Sequence, residues 1–216
     1  MTDPVLVRQP RSDEAPALRE LAERTFRAAF EAQNSASDLE SYVREAFSLE
    51  RLRAELADPA SRFVVATNAD CRGPQRERLL GYGKLRSGSL EPCVSDPDAI
   101  ELERIYVEPS ALGGGVGAAL MKALIAEAQA LGHRTIWLGV WERNERAIGF
   151  YRRWGFEVVG SHVFRLGSDE QTDLVMQRPV AGVNEPAPAL RGLQGAARQA
   201  APCPDSDSDT EVDDDA

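Results

Sequence analysis

The chain has little of what several kinds of protein require. Its 216 residues include three cysteines, Cys71, Cys93 and Cys203, an odd number with no paired spacing. That argues against a disulfide frame and against a thiolate zinc site. Cys93 carries no further sign of a nucleophile. Only two histidines are present, His133 and His162, so no histidine-based metal site is expected. No apolar run approaches the roughly 20 residues of a membrane span. The opening MTDPVLVRQPRSDEAP lacks the basic-then-apolar layout of a signal peptide. A cytoplasmic protein that uses neither membrane nor metal is expected. Positive charge is also short: 25 Lys and Arg stand against 35 Asp and Glu, a net charge of −10. That balance disfavours nucleic acid and mildly favours cationic partners.

The charge is unevenly spread. Residues 181–216 hold eight acids and two arginines, net −6, whereas residues 1–180 hold 27 acids and 23 bases, net −4. The tail VNEPAPALRGLQGAARQAAPCPDSDSDTEVDDDA has few apolar side chains to bury and ends in an acid run. It is expected to be disordered beside one domain over residues 1–180.

Within that domain, VLVRQP (5–10) alternates as a strand does. Residues 12–30 predict a helix capped by Ser12 or Asp13, with Leu18, Leu21, Ala22, Thr25, Phe26 and Ala29 on one face. SDLESYVREAF and SLERLRAEL predict two short helices, each opened by a serine cap. RFVVAT, LLGYGKLRS and AIELERIYV read as strands. Residues 115–132 predict the clearest helix, with Val116, Leu120, Leu124 and Leu131 in a stripe beside Met121, Ile125 and Ala128, closed by Gly132. TIWLGVW reads as a buried strand, NERAIGFYRRWG as a helix from Asn144 to Gly155, and FEVVGSHVFRL with TDLVMQRP as a terminal hairpin around GSDEQ. A mixed α/β domain follows, with a parallel crossover only around residues 99–141.

The stretch GGGVGAA (113–119) precedes the clearest helix. A glycine loop there offers unpaired amides at a positive dipole end, where phosphates bind. The spacing also spells G-x-G-x-x-A, but a dinucleotide site needs its first glycine next to the strand and a second nucleotide-binding half downstream. Here EPSAL intervenes and too little core remains. A Walker loop fails because no Lys-Ser or Lys-Thr follows.

A third reading accounts for both halves of the pattern. LERIYVEPSALGGGVGAALMKALI and NERAIGFYRRWGFEVVG, spaced around TIWLGVW, resemble the two motifs of the GNAT superfamily of N-acetyltransferases. The Arg or Gln that opens the family's loop is Leu112 here, so one side-chain contact is replaced while the backbone amides remain. Across residues 5–179 the chain is similar to bacterial Pai-type polyamine N-acetyltransferases. The resemblance implies a central twisted, mostly antiparallel sheet with one parallel strand pair splayed around acetyl-CoA and helices on both faces. It implies direct transfer of acetyl to a primary amine, a polyamine first among them. Acetylation of a protein N-terminus or lysine is an alternative, as is a non-catalytic acyl-CoA sensor. A homodimer is left open.

The site residues follow from the same resemblance. The pyrophosphate of acetyl-CoA would lie on amides of Leu112, Gly113, Gly114, Gly115, Val116, Gly117 and Ala118. Backbone groups of Ile105, Tyr106 and Val107 would face the pantetheine arm. Asn144 would bind that arm as well. Tyr151, two helical turns on and on the same face, would protonate the departing thiolate; a half-buried core tyrosine is the alternative. Along residues 99–107, Leu102, Ile105 and Val107 break the period of two, and a β-bulge near Glu103–Arg104 would repair it. Glu103 is the first choice of general base, with Glu101 and Glu142 as alternatives. Glu101, Trp141 and Glu142, with Tyr106, would line a pocket for a cationic amine. Trp137 and Trp154 are assigned to the core.

Overall fold

The computed structural model describes residues 5–31, 34–68, 78–166 and 169–180. The acidic tail lies outside the described residues. Seven strands form one sheet: β1 (Val5–Arg8), β2 (Ser61–Asn68), β3 (Leu79–Arg86), β4 (Ile100–Val107), β5 (Thr135–Trp141), β6 (Glu157–Leu166) and β7 (Asp169–Pro179). Their order is β1-β2-β3-β4-β5-β7-β6. Every neighbouring pair is antiparallel except β4 with β5. The helices α1 (Ala15–Phe30), α2 (Ala36–Ala46) and α3 (Leu49–Ala57) cover one face, and α4 (Val116–Ala130) and α5 (Glu145–Arg153) the other.

Cap chemistry sets the helix ends. The serine that caps α2 is Ser35 rather than Ser37: its Oγ accepts from the Asp38 amide at 3.1 Å. Ser48 caps α3 as expected, through the Arg51 amide at 3.2 Å. At α1 neither Ser12 nor Asp13 caps. Those residues form a 3-10 turn, Ser12–Glu14, in which the Glu14 carboxylate accepts from the Arg11 amide at 2.7 Å. Gly132, at φ 86°, ends α4: its N–H reaches Gln129 O at 3.0 Å, and the His133 N–H reaches Ala128 O at 3.1 Å. That is a Schellman closure, which needs a left-handed residue.

The core lies on both sides of the sheet. Under α4 and α5, Leu85, Ile100, Leu102, Leu120, Leu124, Ile136, Leu138, Phe156 and Met176 are buried together. Under α1 to α3, Leu18, Leu21, Phe26, Leu39, Leu52, Phe63, Val65 and Tyr82 form the second layer. Two members of the expected stripes fall outside these layers. Leu131 is 38% exposed because α4 stops one residue before it. Ala29 is exposed at the mouth of the cleft described below. Trp137 is buried with Val94, Ala99 and Val175, and Trp154 packs against the α4–α5 layer.

Glycines on β3 let α4 lie close. A Cβ on Gly81 would stand 2.7 Å from Tyr106 O and 3.0 Å from Leu120 Cδ1. Gly81→Ala is therefore expected to lower stability by about 1–3 kcal/mol, the usual cost of overpacking. A urea midpoint equal to that of the wild type would show that β4 yields freely there.

Strand β4 carries the expected bulge. Lys84 pairs with Arg104 and Leu85 with Leu102, leaving Glu103 as the extra residue. Leu102 and Ile105 thus both reach the α4 layer, while Glu103 and Arg104 both serve the opposite face. The phase break in the sequence is the local cost of turning two successive charged residues the same way. The β6–β7 hairpin differs from expectation in one respect: β7 begins at Asp169, which pairs with Leu166. Pairing absorbs polar residues that read as turn. One cysteine also departs from expectation: Cys93 is disulfide-bonded, so it offers no free thiol.

Candidate functional site

Parallel strands β4 and β5 pair only at Ile100–Ile136 and Glu101–Trp137. Beyond them the strands part, and a cleft of about 1600 Å³ opens in the wedge. Its walls include residues 101–107 of β4, Gly139–Trp141 of β5, the mouth of α4 and the open face of α5.

The glycine loop forms one end. Gly113 and Gly115 take φ of 82° and 85°, and a Cβ on either would meet nothing within 4 Å. Gly115 is the N-cap of α4 and supplies no side-chain cap. The first helical hydrogen bond runs from the Ala119 amide to Gly115 O at 3.0 Å. The amides of Val116, Gly117 and Ala118 therefore have no partner within the helix and point out of its positive end. Gly114 closes the loop instead, its N–H reaching Ala111 O at 3.2 Å. Leu112 is 43% exposed on the cleft wall, and the Val116 side chain is in the core, so only its amide is available.

The parted edge of β4 forms the floor. The Glu108 amide donates to Leu80 O on β3 at 2.8 Å. Because successive strand residues alternate direction, Ile105 and Val107 turn their main-chain groups to the side that β5 has left. The main chain of Tyr106 turns to β3, and only its ring, stacked on Tyr82 at 5.7 Å, reaches the cleft. Asn144 Oδ1 accepts from the Ala147 amide at 3.1 Å and so starts α5. Tyr151 follows on that helix, half-buried between Phe150 and Phe156, with ring centroids 5.6 and 5.7 Å away. No described residue makes a hydrogen bond to its hydroxyl. Burial pushes the phenol above its ordinary value, so it keeps its proton.

The other end is acidic and aromatic. Trp141, Glu101 and Glu103 all line the cleft. Glu103 is held by three cations: Lys84 Nζ at 2.9 Å, Arg104 Nη2 at 3.0 Å and Arg86 Nε at 3.3 Å. Glu101 pairs with Arg86 at 2.8 Å. Glu55 of α3 completes the lattice, accepting both branches of the Arg104 guanidinium at 2.8 and 3.1 Å. Burial would raise the Glu55 carboxyl, but Arg104 and Lys84 outweigh it and hold it below the usual range. Lys84 is 2% exposed. Breaking such a buried pair strands the remaining charge. Glu142 lies apart from the other candidates. It follows the last residue of β5, its side chain is exposed, and it does not line the cleft.

Among the cleft residues not singled out from the sequence are Glu91, His162 and Asp173. Asp173 on β7 faces His162 on β6, directly across the ladder. The His162 Nε2 lies 3.9 Å from Asp173 Oδ2, and its Nδ1 lies 3.0 Å from Glu91 Oε1. Burial pushes the Asp173 carboxyl up to about 6, with His162 pulling the other way. The signals open to a reader were the two histidines and the acid in TDLV, but nothing in their spacing joins them. Among the described residues no group of three His, Cys, Asp or Glu side chains could hold a metal ion.

The site is thus an open sheet with one splayed parallel pair and a glycine-opened helix at the splay. The family described as Acetyltransferase (GNAT) family matches residues 15–156. The chain belongs to that family, and it is an N-acetyltransferase by class. An uncharacterized N-acetyltransferase of Lactobacillus delbrueckii subsp. lactis is 30% identical over 81% of this chain and 96% of its own length. Another, from Mycobacterium bovis, is 33% identical over 76% of this chain and 97% of its own. Among solved structures, the PaiA N-acetyltransferase of Thermoplasma acidophilum, in complex with coenzyme A, superposes with a TM-score of 0.63. It covers 82% of this chain and 99% of that one at 20% identity, so it speaks for the fold.

Proposed function

We propose that the protein transfers acetyl from acetyl-CoA to the nitrogen of a small primary amine, a polyamine first among them, by direct attack. The observation that carries this reading is a single cleft with unpaired helix amides at one end and carboxylates among aromatic rings at the other. The amine and the anion-bearing cosubstrate would then meet at the parted strands. The fit to the cosubstrate rests on open space above Gly113 and Gly115 and on the free amides of residues 116–118. Bound there, acetyl-CoA supplies the activated acyl group.

The chain's own residues do the rest. Helix amides at the loop, with the glycines that bare them, receive the pyrophosphate. The freed main chain of Ile105 and Val107 aligns the pantetheine arm, with Asn144 beside it. Tyr151 holds the proton that the leaving sulfur takes. Glu101 and Glu103, fixed and balanced by their cations, offer carboxylate oxygens where an ammonium group enters. Trp141 and Tyr106 offer ring faces to the same cation. We place this activity in the cytoplasm, in one domain that ends near residue 180, and the described residues contain no helix long and apolar enough to cross a membrane.

The test is turnover of acetyl-CoA with spermidine, a short monoamine, a lysine-containing peptide and a peptide with a free N-terminus. Thiol release with spermidine or the monoamine is expected. Turnover of the peptides alone would move the reading to protein acetylation. Acetyl-CoA binding with no turnover of any amine would make the protein a sensor.

A further inference from the structure

We propose that His162 is the general base of this transfer, with Glu91 beside its Nδ1 and its Nε2 turned to the amine that Asp173 receives. The inference rests on the acetyl-transfer reading above.

The geometry supports it from three elements. Glu91 comes from the segment between β3 and β4, His162 from β6 and Asp173 from β7. Glu91 Oε1 lies 3.0 Å from Nδ1, close enough to attract a charged imidazole but not aligned as a hydrogen bond. Acting as a base, the ring would take the amine's proton on Nε2, the nitrogen on the Asp173 side. Nε2 lies over Gly139 of β5, where a Cβ would stand 3.3 Å from it and 3.5 Å from Asp173 Oδ2. Because residue 139 is glycine, no side chain separates the pair from the cleft floor. Asp173 Oδ2 is 3.9 Å from Nε2, too far for a direct hydrogen bond but near enough for both to contact one nitrogen. Asp173 Oδ1 is buried and makes no hydrogen bond among the described residues. This is an unsatisfied acceptor on the cleft wall, the feature expected where a donor arrives with the substrate. Glu103 is a poorer candidate because three cations already engage its carboxylate.

The step balances as follows. Asp173 accepts a hydrogen bond from the ammonium R–NH3+. One proton passes to His162 Nε2, giving R–NH2 and an imidazolium held between two carboxylates. The nitrogen forms the C–N bond, the C–S bond breaks, and the sulfur takes a proton from Tyr151. The nitrogen's second proton replaces the one Tyr151 gave. The proton on His162 leaves to solvent, so the net products are the amide, the free thiol and one proton.

The other charged groups that line the cleft are Glu45, Arg51, Arg86, Glu101, Glu103, Arg104, Arg143, Glu145, Arg146 and Arg153. Asp173 must be ionised to receive a cation, so kcat/KM should fall as pH drops through about 6, where burial has placed its carboxyl.

The experiment compares His162→Gln, Asp173→Asn and Glu103→Gln with the wild type, using the full chain, acetyl-CoA and spermidine. His162→Gln should lower kcat about 10²-fold or more, the contribution of a positioned base, with acetyl-CoA affinity and melting temperature retained. Asp173→Asn should raise the spermidine KM about 10- to 100-fold, as loss of a charge-assisted hydrogen bond does, and should remove the part of the acid limb that Asp173 contributes. Nitrogen-15 NMR gives a second readout that needs no turnover, with only two histidines to assign. His162 should carry its neutral-form proton on Nδ1, leaving Nε2 free to act as the base, and should shift on adding spermidine in the wild type but not in Asp173→Asn. A wild-type rate and pH profile in His162→Gln, with the acid limb lost in Glu103→Gln, would overturn the assignment. So would an Nε2–H tautomer in the wild type. If no amine turns over, the acetyl-transfer reading falls, and the tautomer and the spermidine shift still decide whether this cluster receives an amine.

Discussion

Tyr151→Phe is expected to lower kcat about 10²-fold or more, the usual contribution of a positioned acid, while leaving acetyl-CoA affinity near its wild-type value. The substitution removes one hydroxyl and almost no volume. No described residue makes a hydrogen bond to that hydroxyl, so little stability should be lost. The proposed contacts to the cosubstrate are backbone amides on α4 and β4, which Tyr151 does not hold in place. The loss should appear in kcat more than in KM, because protonation of the sulfur matters only in the transition state. Burial raises the phenol pKa, so the acid stays loaded at alkaline pH. No alkaline fall in kcat from this group is expected below about pH 10, the ordinary tyrosine value. A plain core tyrosine would behave differently, with turnover intact and at most a change of about 1 kcal/mol in stability. Wild-type kcat in the Phe variant would remove Tyr151 from the mechanism and leave solvent or another group to supply the proton.

Gly115→Asp should abolish measurable acetyl-CoA binding in calorimetry. Two effects act together. A carboxylate at the N-cap of α4 bonds to the free amides of that turn, as capping aspartates do, and so occupies the anion site from within. It also sets a negative charge beside the incoming pyrophosphate. The φ of 85° at Gly115 adds a steric cost of about 1–2 kcal/mol for a residue with a Cβ, partly offset by the new cap, so the protein should still fold. Gly115→Ala separates the effects. Space at that position is open, so alanine brings the backbone strain without the charge and should weaken binding far less. Equal losses in the two variants would mean that loop conformation, not anion competition, governs the site. Unchanged affinity in the Asp variant would place the pyrophosphate elsewhere.

Much of the scaffold was legible in the residues. The phase break between Leu102 and Ile105 marked the bulge, because strand side chains alternate strictly and a core cannot accept Glu103 on the α4 side. Gly132 and Gly155 marked helix ends, since each sits at a positive φ. Asn144 marked the start of α5 by local capping chemistry. These are short-range signals, settled within about one helical turn or one strand pair. Glu142 shows where such signals end, because it follows β5 and lies outside the cleft. Its neighbours Trp141 and Arg143 line the cleft while Glu142 is exposed, a placement set by the turn after β5 and not by strand alternation.

The sequence by itself determined the element order, the glycine-opened helix and the family, because each depends on residues close together along the chain. The tertiary structure alone decided which charges meet. Lys84, Glu55, Glu103 and Arg104 come from β3, α3 and β4 and neutralise one another in a buried lattice, and no spacing announces that pairing. Glu91, His162 and Asp173 are joined by the register of the β6–β7 ladder and by the segment that covers β5. Register follows from which face of each strand is buried. That depends on helices and strands distant in sequence, so the chemistry of the acidic end is a property of the packed sheet.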